Sequence, residues 1–506
     1  MKNRIFLGFF LAVWVSLSLL NPWAGRLEGA GVQAKSRASG ERALEDEEAL
    51  TTIHLPLVVD GLINLPNFVD TPFGVEVRPT SDLPGMQKVS GAGASFTRLN
   101  GIFWANVEPV EGQRNWSAVA GQEVQLKFAA ANDLKAVLVV RHTPAWAQKV
   151  PGAFCGPIKE DKLDAFGDFL YDLVARYSKP PYYVKYWEIY NEPDVDPSLV
   201  KADSAYGCWG DPADPYYGGG YFAEMLKVAY PKIKAADPEA QVLVGGLLLS
   251  CNPASLNCSS VEITASKFFE GILVNQGGDY FDGVAFHNYD FYLFNIGAYF
   301  SRKWNSAWDT TGPALGAKVT FLTDLMTDHG VSGKFLMDTE NAILCGSATD
   351  PPGGPGCESD PDSAFELTKA YYVAQAYAAA LATGLTANIW FSHTGWRNSG
   401  LLYDDLTPRP AFDAYEFSRD RLGEATYIGP IGSSDVGGDS DLLGYKFQRP
   451  NGKLVWVIWA KDRVSHLLTL AIPPDTAWDV FGNQLSLLDA SALSIALEPR
   501  YLEWDP

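Results

Sequence analysis

The amino-acid sequence predicts an α/β fold, a (β/α)8 TIM barrel followed by a C-terminal antiparallel β-sandwich domain. Two patterns predict this fold. Across residues 66–422, short apolar, β-branched runs alternate with stretches of helical periodicity. From residue 423, short strand-like runs follow one another with turn residues between them and no helical stretch. Strands that are apolar on both faces and separated by helices indicate a parallel sheet covered by helices.

The barrel prediction depends on eight runs with the composition of buried strands. They are 73–77, 94–99, 136–140, 184–190, 242–248, 283–287, 335–339 and 387–391. Helix-like segments between them include 121–131, 162–177, 221–236, 265–276 and 363–382. Such a series fits the size of a (β/α)8 barrel. The main alternative is a doubly wound open sheet, which typically carries a glycine-rich phosphate turn after its first strand, and no such turn is present.

The C-terminal residues 423–506 predict an accessory β-sandwich domain. Its strand-like runs are 443–448, 454–460, 467–472, 477–480 and 493–497, and Pro450-Asn451-Gly452 is a typical turn between two of them. Short strands joined by turns indicate an antiparallel arrangement. The extended segment 51–59 is expected to add a strand to this domain or to close the barrel floor.

The N-terminus predicts export from the cell. Lys2 and Arg4 precede an apolar run, residues 5–20, which is typical of a signal peptide and leads us to assign residues 1–30 to one. The alternative is that this segment is retained as an uncleaved membrane anchor. Residues 31–65, with an acidic run at 45–48, predict a solvated linker. We therefore expect a secreted, extracellular protein.

The six cysteines fit an exported protein that forms disulfides. Pairs that close short loops, Cys251–Cys258 and Cys345–Cys357, are favoured, and they leave Cys155–Cys208 as the third pair. Other pairings and buried free thiols are the alternatives, because spacing alone does not fix connectivity. The cysteines do not have the spacing of zinc ligands, so neither a metal site nor a cofactor is expected.

The charge balance excludes some partners. With 39 Lys and Arg against 60 Asp and Glu, the net charge is −21. A surface this acidic argues against binding to nucleic acid or to anionic lipid. Aromatic residues make up 13 % of the chain, which suits ring stacking on sugars as well as ordinary core packing. The expected partner is an oligo- or polysaccharide substrate, and the sequence does not specify an oligomeric state.

Polar residues follow the predicted barrel strands at their carboxyl ends, where the active sites of such barrels form. The fourth strand ends in Asn191-Glu192-Pro193 and the seventh in Glu340. The same rim receives Arg98, His142, His287, Tyr289 and Trp390 from the second, third, sixth and eighth strands. Two carboxylates facing each other in different environments are what glycoside hydrolysis requires.

Several of these residues have a simpler structural interpretation. Strand alternation is expected to turn Glu188 and Asp338 away from the barrel centre, as paired structural charges near the helices. His142 is the kind of residue that is also found hydrogen-bonded in a core. Trp390 is equally a residue that serves only packing.

The Asn191-Glu192-Pro193 motif and Glu340 together resemble the retaining glycoside hydrolases of clan A, the group of cellulases, mannanases and β-xylosidases. The run Thr143-Pro144-Ala145-Trp146 is similar to family 39, whereas His142 is more similar to the family 5 pattern. The resemblance implies that Glu192 is the acid/base and Glu340 the nucleophile. It also implies substrate-binding roles for Arg98, His142, Trp146, Asn191, His287, Tyr289 and Trp390.

The expected function is therefore a secreted retaining glycoside hydrolase that cleaves β-linked glycans by double displacement, either β-xylosidase-like or endo-β-glycanase-like. One alternative is a non-catalytic carbohydrate-binding barrel, against which the complete carboxylate pair argues. The other is a metal-dependent barrel hydrolase that uses His142, His287 and His393. The first strand lacks the His-x-His motif with which such a metal site begins.

Overall fold

The structure is a computed structural model. It describes residues 65–506 except 79–81, 201–203, 205, 256–257, 293–307, 309–311, 346–362, 463 and 488–491. The predicted signal peptide, the linker up to residue 64, the segment 51–59 and Cys357 lie outside the described residues. In the part of the chain that is described, no helix has the length and apolar character needed to cross a bilayer.

Eight parallel strands close into a barrel in the order of the chain, which confirms the predicted fold class. They are β1 (Phe73–Glu76), β2 (Phe96–Phe103), β3 (Lys135–Arg141), β4 (Tyr186–Asn191), β5 (Gln241–Leu247), β6 (Gly283–Tyr292), β7 (Phe335–Cys345) and β8 (Ala387–Phe391). Pairing of β1 with β8 closes the ring, and Phe73 lies opposite Asn388 there. The carboxyl ends of all eight strands therefore surround one opening.

The helices cover the outside of the barrel. They are α1 (Leu83–Gly91), α2 (Trp104–Val107), α3 (Ala120–Ala131), α4 (Leu163–Tyr177), α5 (Gly219–Ala236), α6 (Ser260–Ala265), α7 (Phe268–Val274), α8 (Leu315–Asp328), α9 (Ser363–Ala382) and α10 (Pro410–Leu422). The single helix predicted over 265–276 is wrong in its extent, because the chain there forms α6 and α7 with a break at Ser266-Lys267. The helix-like segments named in the sequence analysis do not include α1, α2, α8 or α10.

Side chains that point into the barrel form a closed apolar layer below the opening. Its buried members are Phe96, Val137, Leu243, Ala285, Met337, Ala387 and Ile389. Because this layer fills the lower barrel, polar side chains that point inward from the carboxyl ends are held above it. The alternation also identifies Ala387 and Ile389 as the inward-facing residues of β8.

The C-terminal region is antiparallel, as predicted. A five-stranded sheet has the order β13–β15–β11–β10–β9, and β12 pairs with β14. The strands are β9 (Thr426–Pro430), β10 (Leu442–Gln448), β11 (Leu454–Ala460), β12 (His466–Thr469), β13 (Thr476–Trp478), β14 (Ala492–Ile495) and β15 (Arg500–Trp504). The sequence analysis predicts five of these strands and misses β9 and β15.

The sheet shares a hydrophobic core with the barrel helices. Phe447, Val457, Trp459 and Tyr501 belong to the same buried cluster as the side chains around the barrel. Tyr501 on β15 also forms a hydrogen bond of 2.7 Å with Ser418 on α10. The last helix of the barrel and the sheet are therefore packed as one body.

Two disulfides confirm two of the predicted pairs. Cys155 is bonded to Cys208, which ties the loop after β3 to the loop after β4. Cys251 is bonded to Cys258 in the loop after β5. The third predicted pair includes Cys357, so it falls outside the described residues.

Candidate active site

The side chain of Arg98 on β2 lies at the centre of the barrel opening and is fully buried. Its Nε and Nη2 atoms donate to the two carboxylate oxygens of Glu188, at 3.0 and 2.6 Å. Nη2 also donates to Oδ1 of Asn191 at 2.6 Å, and Nη1 donates to Oε1 of Glu340. The planar guanidinium thus fixes β4 and β7 residues relative to each other, because its donors have fixed directions.

Glu340 points to the barrel centre because β7 contains a bulge. Phe286 pairs with Asp338 and His287 pairs with Glu340, so that Thr339 is an extra residue on β7. An extra residue shifts the side-chain alternation of the strand by one position. Asp338 faces the helices, and Lys318 of α8 is the charge that acts on it most strongly, while Glu340 faces inward.

Glu192 lies across the opening from Glu340. One carboxylate oxygen of each, together with Nδ1 of His287, forms a set in which all atoms lie within 4.8 Å of one another. Nδ1 of His287 lies 2.8 Å from Oε1 of Glu192 and 3.6 Å from Oε2 of Glu340. The hydroxyl of Tyr289 donates to Oε2 of Glu340. Two buried carboxyl groups therefore share one imidazole.

The two carboxyl groups have opposite pKa shifts. Burial raises the pKa of Glu192 above its ordinary value, and His287 offsets only part of this effect. Burial also acts to raise the pKa of Glu340, but the charges of His287 and Arg98 and the Tyr289 hydroxyl outweigh it and lower that pKa to about 2. Near neutral pH, Glu340 is ionised and Glu192 is the group that holds a proton more readily.

Glu76 on β1 is a third carboxyl group that the sequence analysis misses. It is fully buried, and neither of its oxygens has a hydrogen-bond partner among the described residues. Its nearest charges are Nη1 of Arg98 at 3.5 Å and Nε of Arg78 at 3.7 Å. Burial raises the pKa of Glu76 to about 7 despite these two cations. A charged residue at the end of an apolar strand is the sequence signal that identifies it.

The expected orientation of Glu188 is wrong. Its carboxylate faces the barrel interior, where it binds Arg98 and accepts a hydrogen bond of 3.0 Å from the backbone N–H of Gly246. The expected pairing of Glu188 with a cation is present, whereas the expected direction of its side chain, toward the helices, is not. The reason is that β4 alternates regularly up to Glu188, whereas Tyr190 and Glu192 further along have positive φ values of 66° and 51°.

The substrate-binding role that the resemblance implies for Trp390 does not fit its position, whereas the packing alternative does. Its ring is 0 % exposed, packs edge-on against Tyr372 of α9 and donates from Nε1 to the carbonyl of Ser399 at 2.9 Å. Ile389 and Phe391 point inward, so alternation turns Trp390 toward the helices. Phe391 instead contacts the site, with its ring centroid 5.8 Å from that of Tyr289.

His142 and Trp146 lie after β3 without bonding to the carboxylate pair. The His142 ring packs against Phe103 at 4.1 Å, and its Nε2 lies 3.2 Å from the carbonyl of Ser204. Burial and the charge of Arg141 lower the pKa of His142 to about 3, so it is neutral. Trp146 packs edge-on against Trp104 and donates to the carbonyl of Glu108.

The three histidines of the metal-dependent alternative do not converge. Each has different partners: His393 bonds to Asp82 and accepts from the backbone N–H of Arg78, His142 bonds to the carbonyl of Ser204, and His287 bonds to Glu192. Among the described residues near the opening, the group with metal-ligand spacing is Glu192, His287 and Glu340. The cationic guanidinium of Arg98 bonded to Glu340 opposes a second cation there.

Comparison with known proteins identifies the architecture. No protein-family model and no curated protein matches the sequence. A solved structure of a family 39 glycoside hydrolase from the gut symbiont Bacteroides cellulosilyticus WH2 has a TM-score of 0.62 at 18 % identity, with 87 % of this chain and 82 % of that chain covered. The barrel has the fold of clan A glycoside hydrolases.

Two further solved structures share this fold. A GH30 endoxylanase from Clostridium papyrosolvens C71 has a TM-score of 0.54 at 13 % identity, covering 87 % of this chain and 98 % of that chain. A family 51 α-L-arabinofuranosidase from Bifidobacterium longum has a TM-score of 0.56 at 12 % identity, covering 88 % of this chain and 98 % of that chain. At these identities the likeness to clan A establishes the fold alone.

Proposed function

We propose that this protein is a retaining glycoside hydrolase that cleaves β-linked glycans by double displacement. The observation that carries the proposal is the Glu192–Glu340 pair, which approaches within 4.8 Å and has opposite pKa shifts. Retaining enzymes hold their carboxyl groups about 5–5.5 Å apart, whereas inverting enzymes need about 6.5–9.5 Å to admit a water. One oxygen of each carboxyl group lies within 4.8 Å of the other, which is nearer to the retaining range than to the inverting one.

In the first step, Glu340 attacks the anomeric carbon of the sugar. It is ionised because Arg98, His287 and the Tyr289 hydroxyl stabilise its negative charge. Glu192 donates its proton to the glycosidic oxygen as the bond to the leaving group breaks. The sugar is then held to Glu340 as a covalent ester.

In the second step, the ionised Glu192 removes a proton from a water molecule, which attacks the anomeric carbon and releases Glu340. Glu192 regains its proton, and the product keeps the β configuration. His287 stabilises Glu192 whenever Glu192 is charged, because its Nδ1 lies within hydrogen-bond distance. Asn191, whose Oδ1 is held by Arg98, is proposed to bind the sugar 2-hydroxyl.

The proposed substrate class is a β-linked oligo- or polysaccharide, cleaved in a β-xylosidase-like or endo-β-glycanase-like manner. The known proteins that share the fold include an endoxylanase, which supports a plant-type glycan as the first substrate to test. We also propose that the protein is secreted. Two disulfides support this location, and one structure of the same fold is described as an exported protein from Bacteroides fragilis.

A pair of glutamate variants tests the proposal. Glu340→Ala is expected to lower kcat on aryl β-glycosides by about 10⁴-fold or more, and azide should restore part of the activity by replacing the missing nucleophile. Glu192→Ala should lose activity mainly on substrates with poor leaving groups, which need protonation. Glu224→Ala on the exposed face of α5 is the matched control and should behave as wild type.

Product stereochemistry provides a separate test. NMR during hydrolysis should show the β anomer first, because two displacements at one carbon restore its configuration. An initial α anomer would show inversion and would contradict Glu340 as a nucleophile. Hydrolysis by Glu192→Ala and Glu340→Ala at the wild-type rate would refute the assignment of both residues.

A further inference from the structure

Trp396 is an aromatic residue at the barrel opening to which neither the motifs nor the proposed chemistry assigns a role. It lies after β8 and is half-buried. Its ring is edge-on to Tyr289 and to Phe391, with centroid distances of 6.3 and 6.2 Å. Since Tyr289 donates to Glu340, a single side chain connects Trp396 to the proposed nucleophile.

The loop that carries Trp396 is anchored through three consecutive backbone carbonyls. The Nζ atom of Lys369 donates to the carbonyls of Asn398 and Gly400, both at 2.8 Å. Nε1 of Trp390 donates to the carbonyl between them, that of Ser399, at 2.9 Å. Both donor side chains are fully buried. Hydrogen bonds from buried groups fix a loop because leaving those groups unpaired is costly.

A further contact holds the Trp396 ring itself. The guanidinium of Arg397 lies 5.6 Å from the centroid of the Trp396 ring, and its Nε donates to the carbonyl of Cys345 at 2.8 Å. Cys345 is the last residue of β7, the strand that carries Glu340. The ring is thus tied to both β7 and β8, and its position relative to the carboxylate pair is fixed.

Trp396 is partly exposed, as Tyr289 is, whereas the two aromatic rings at the end of β8 are buried. Phe391 is only 5 % exposed, and the guanidinium of Arg78 lies 4.9 Å from its ring centroid. Trp390 is turned toward the helices and has no exposed surface. A rigid, partly exposed indole offers a flat apolar face with little loss of conformational entropy on binding, and the C–H face of a pyranose ring matches it.

We propose that Trp396 is the stacking surface for the sugar ring bound beside the Glu192–Glu340 pair, and that Lys369 and Trp390 are positioning residues for it. The inference rests on the proposed glycosidase function. It assigns the stacking role to a residue beyond β8 and gives the buried Trp390 the different task of anchoring the loop. The ligand it requires is a pyranose with an unobstructed apolar face.

Kinetics of Trp396 variants test the stacking role. On an aryl β-glycoside hydrolysed by the wild type, Trp396→Ala should raise KM about tenfold or more with kcat changed less than about threefold, because ground-state binding is lost. Trp396→Phe should restore much of the KM, since it keeps a ring. Trp504→Ala, a half-buried tryptophan of β15, is the matched control. An unchanged KM in Trp396→Ala would overturn the inference.

A double-mutant cycle tests Lys369. Lys369→Met should raise KM as Trp396→Ala does, while Arg409 continues to neutralise Glu366 at 2.7 Å. The double variant should show no further rise, because both changes remove one interaction. If Lys369 had only a structural role, Lys369→Met would lower the melting temperature, and its effect on KM would add to that of Trp396→Ala. Additive effects would therefore overturn the positioning role.

Failure of the inference can be distinguished from failure of the proposed function. If the wild type hydrolyses glycosides and Trp396→Ala has the same KM as the wild type, only the inference fails. If the wild type hydrolyses no substrate in a panel of aryl β-glycosides and xylo-, cello- and manno-oligosaccharides, the proposed function fails. The binding of those oligosaccharides, measured by calorimetry with wild type and Trp396→Ala, then decides the stacking role, and equal affinities overturn it.

Discussion

Replacing Glu76 with glutamine is the perturbation that the structure quantifies best. The fully buried carboxyl group has a pKa of about 7, against 4.5 as its ordinary value. Glutamine has nearly the same shape and carries no charge. The charged groups that act on Glu76 from other strands are Arg98, His287 and Glu340, and Nε of Arg78, two residues further along the chain, lies 3.7 Å from it.

The expected effect is on the pH dependence of stability. Between pH 4.5 and 7 the folded protein keeps the Glu76 proton that the unfolded chain releases, so the contribution of Glu76 to stability falls as the pH rises. A difference of about 2.5 pKa units corresponds to about 3 kcal/mol. Glu76→Gln should therefore gain about 2–3 kcal/mol in the free energy of unfolding, relative to wild type, between pH 5 and pH 8.

Urea denaturation of both proteins at pH 5 and pH 8 measures this difference. Glu224→Gln, on the exposed face of α5, is the control that should show no such pH dependence. If the stability difference between Glu76→Gln and wild type is the same at both pH values, the pKa of Glu76 is not raised in the folded protein. The interpretation of Glu76 as a buried carboxyl group without a hydrogen-bond partner would then be refuted.

Three further changes have defined outcomes. Arg98→Lys removes the planar donors shared by Glu188, Asn191 and Glu340, so kcat should fall about 100-fold or more. Because Arg98 helps to lower the pKa of Glu340, the acid limb of the pH–rate profile should move to higher pH, which stopped assays from pH 3 to 8 would measure. Tyr501→Phe loses the buried hydrogen bond to Ser418 and should lower stability by about 1 kcal/mol in urea titrations while leaving kcat unchanged. Joint replacement of Cys155 and Cys208 by alanine, which opens a loop with a sequence separation of 53, should cost about 3–4 kcal/mol in the same titrations, and a wild-type midpoint would contradict this.

The sequence predicts the barrel well because its strands are distinctive. Runs such as 136–140 and 242–248 are rich in β-branched and apolar residues on both faces, which is typical of a buried parallel strand, and helical stretches separate them. Because the carboxyl ends of all eight strands meet at one opening, the prediction brings Arg98 of β2, Glu192 after β4 and Glu340 of β7 together there, as the structure does. Helix α8 is harder to predict, because its apolar stripe is interrupted by Lys318, which is buried in the fold.

Side-chain direction is where sequence reasoning fails. Asp338 faces away from the barrel centre as expected, but alternation is not the reason: strict alternation would put Asp338 and Glu340 on one face, and only the bulge at Thr339 separates them. On β8, both parities of the run 387–391 contain apolar residues, so the pattern does not distinguish an inward Phe391 from an inward Trp390. Glu76 is missed because the importance of a lone carboxylate depends on Arg98, a contact made in three dimensions.

The hydrophobic cluster common to the barrel helices and the C-terminal sheet bears on how this protein can be engineered. Cutting the chain after Leu422 would leave α10 facing water where Tyr501 and Trp478 now cover it. An excised barrel would therefore tend to aggregate. A tag or partner domain attached after Pro506 leaves the contacts between α10 and the sheet intact. A barrel without the sheet would first need polar replacements along α10.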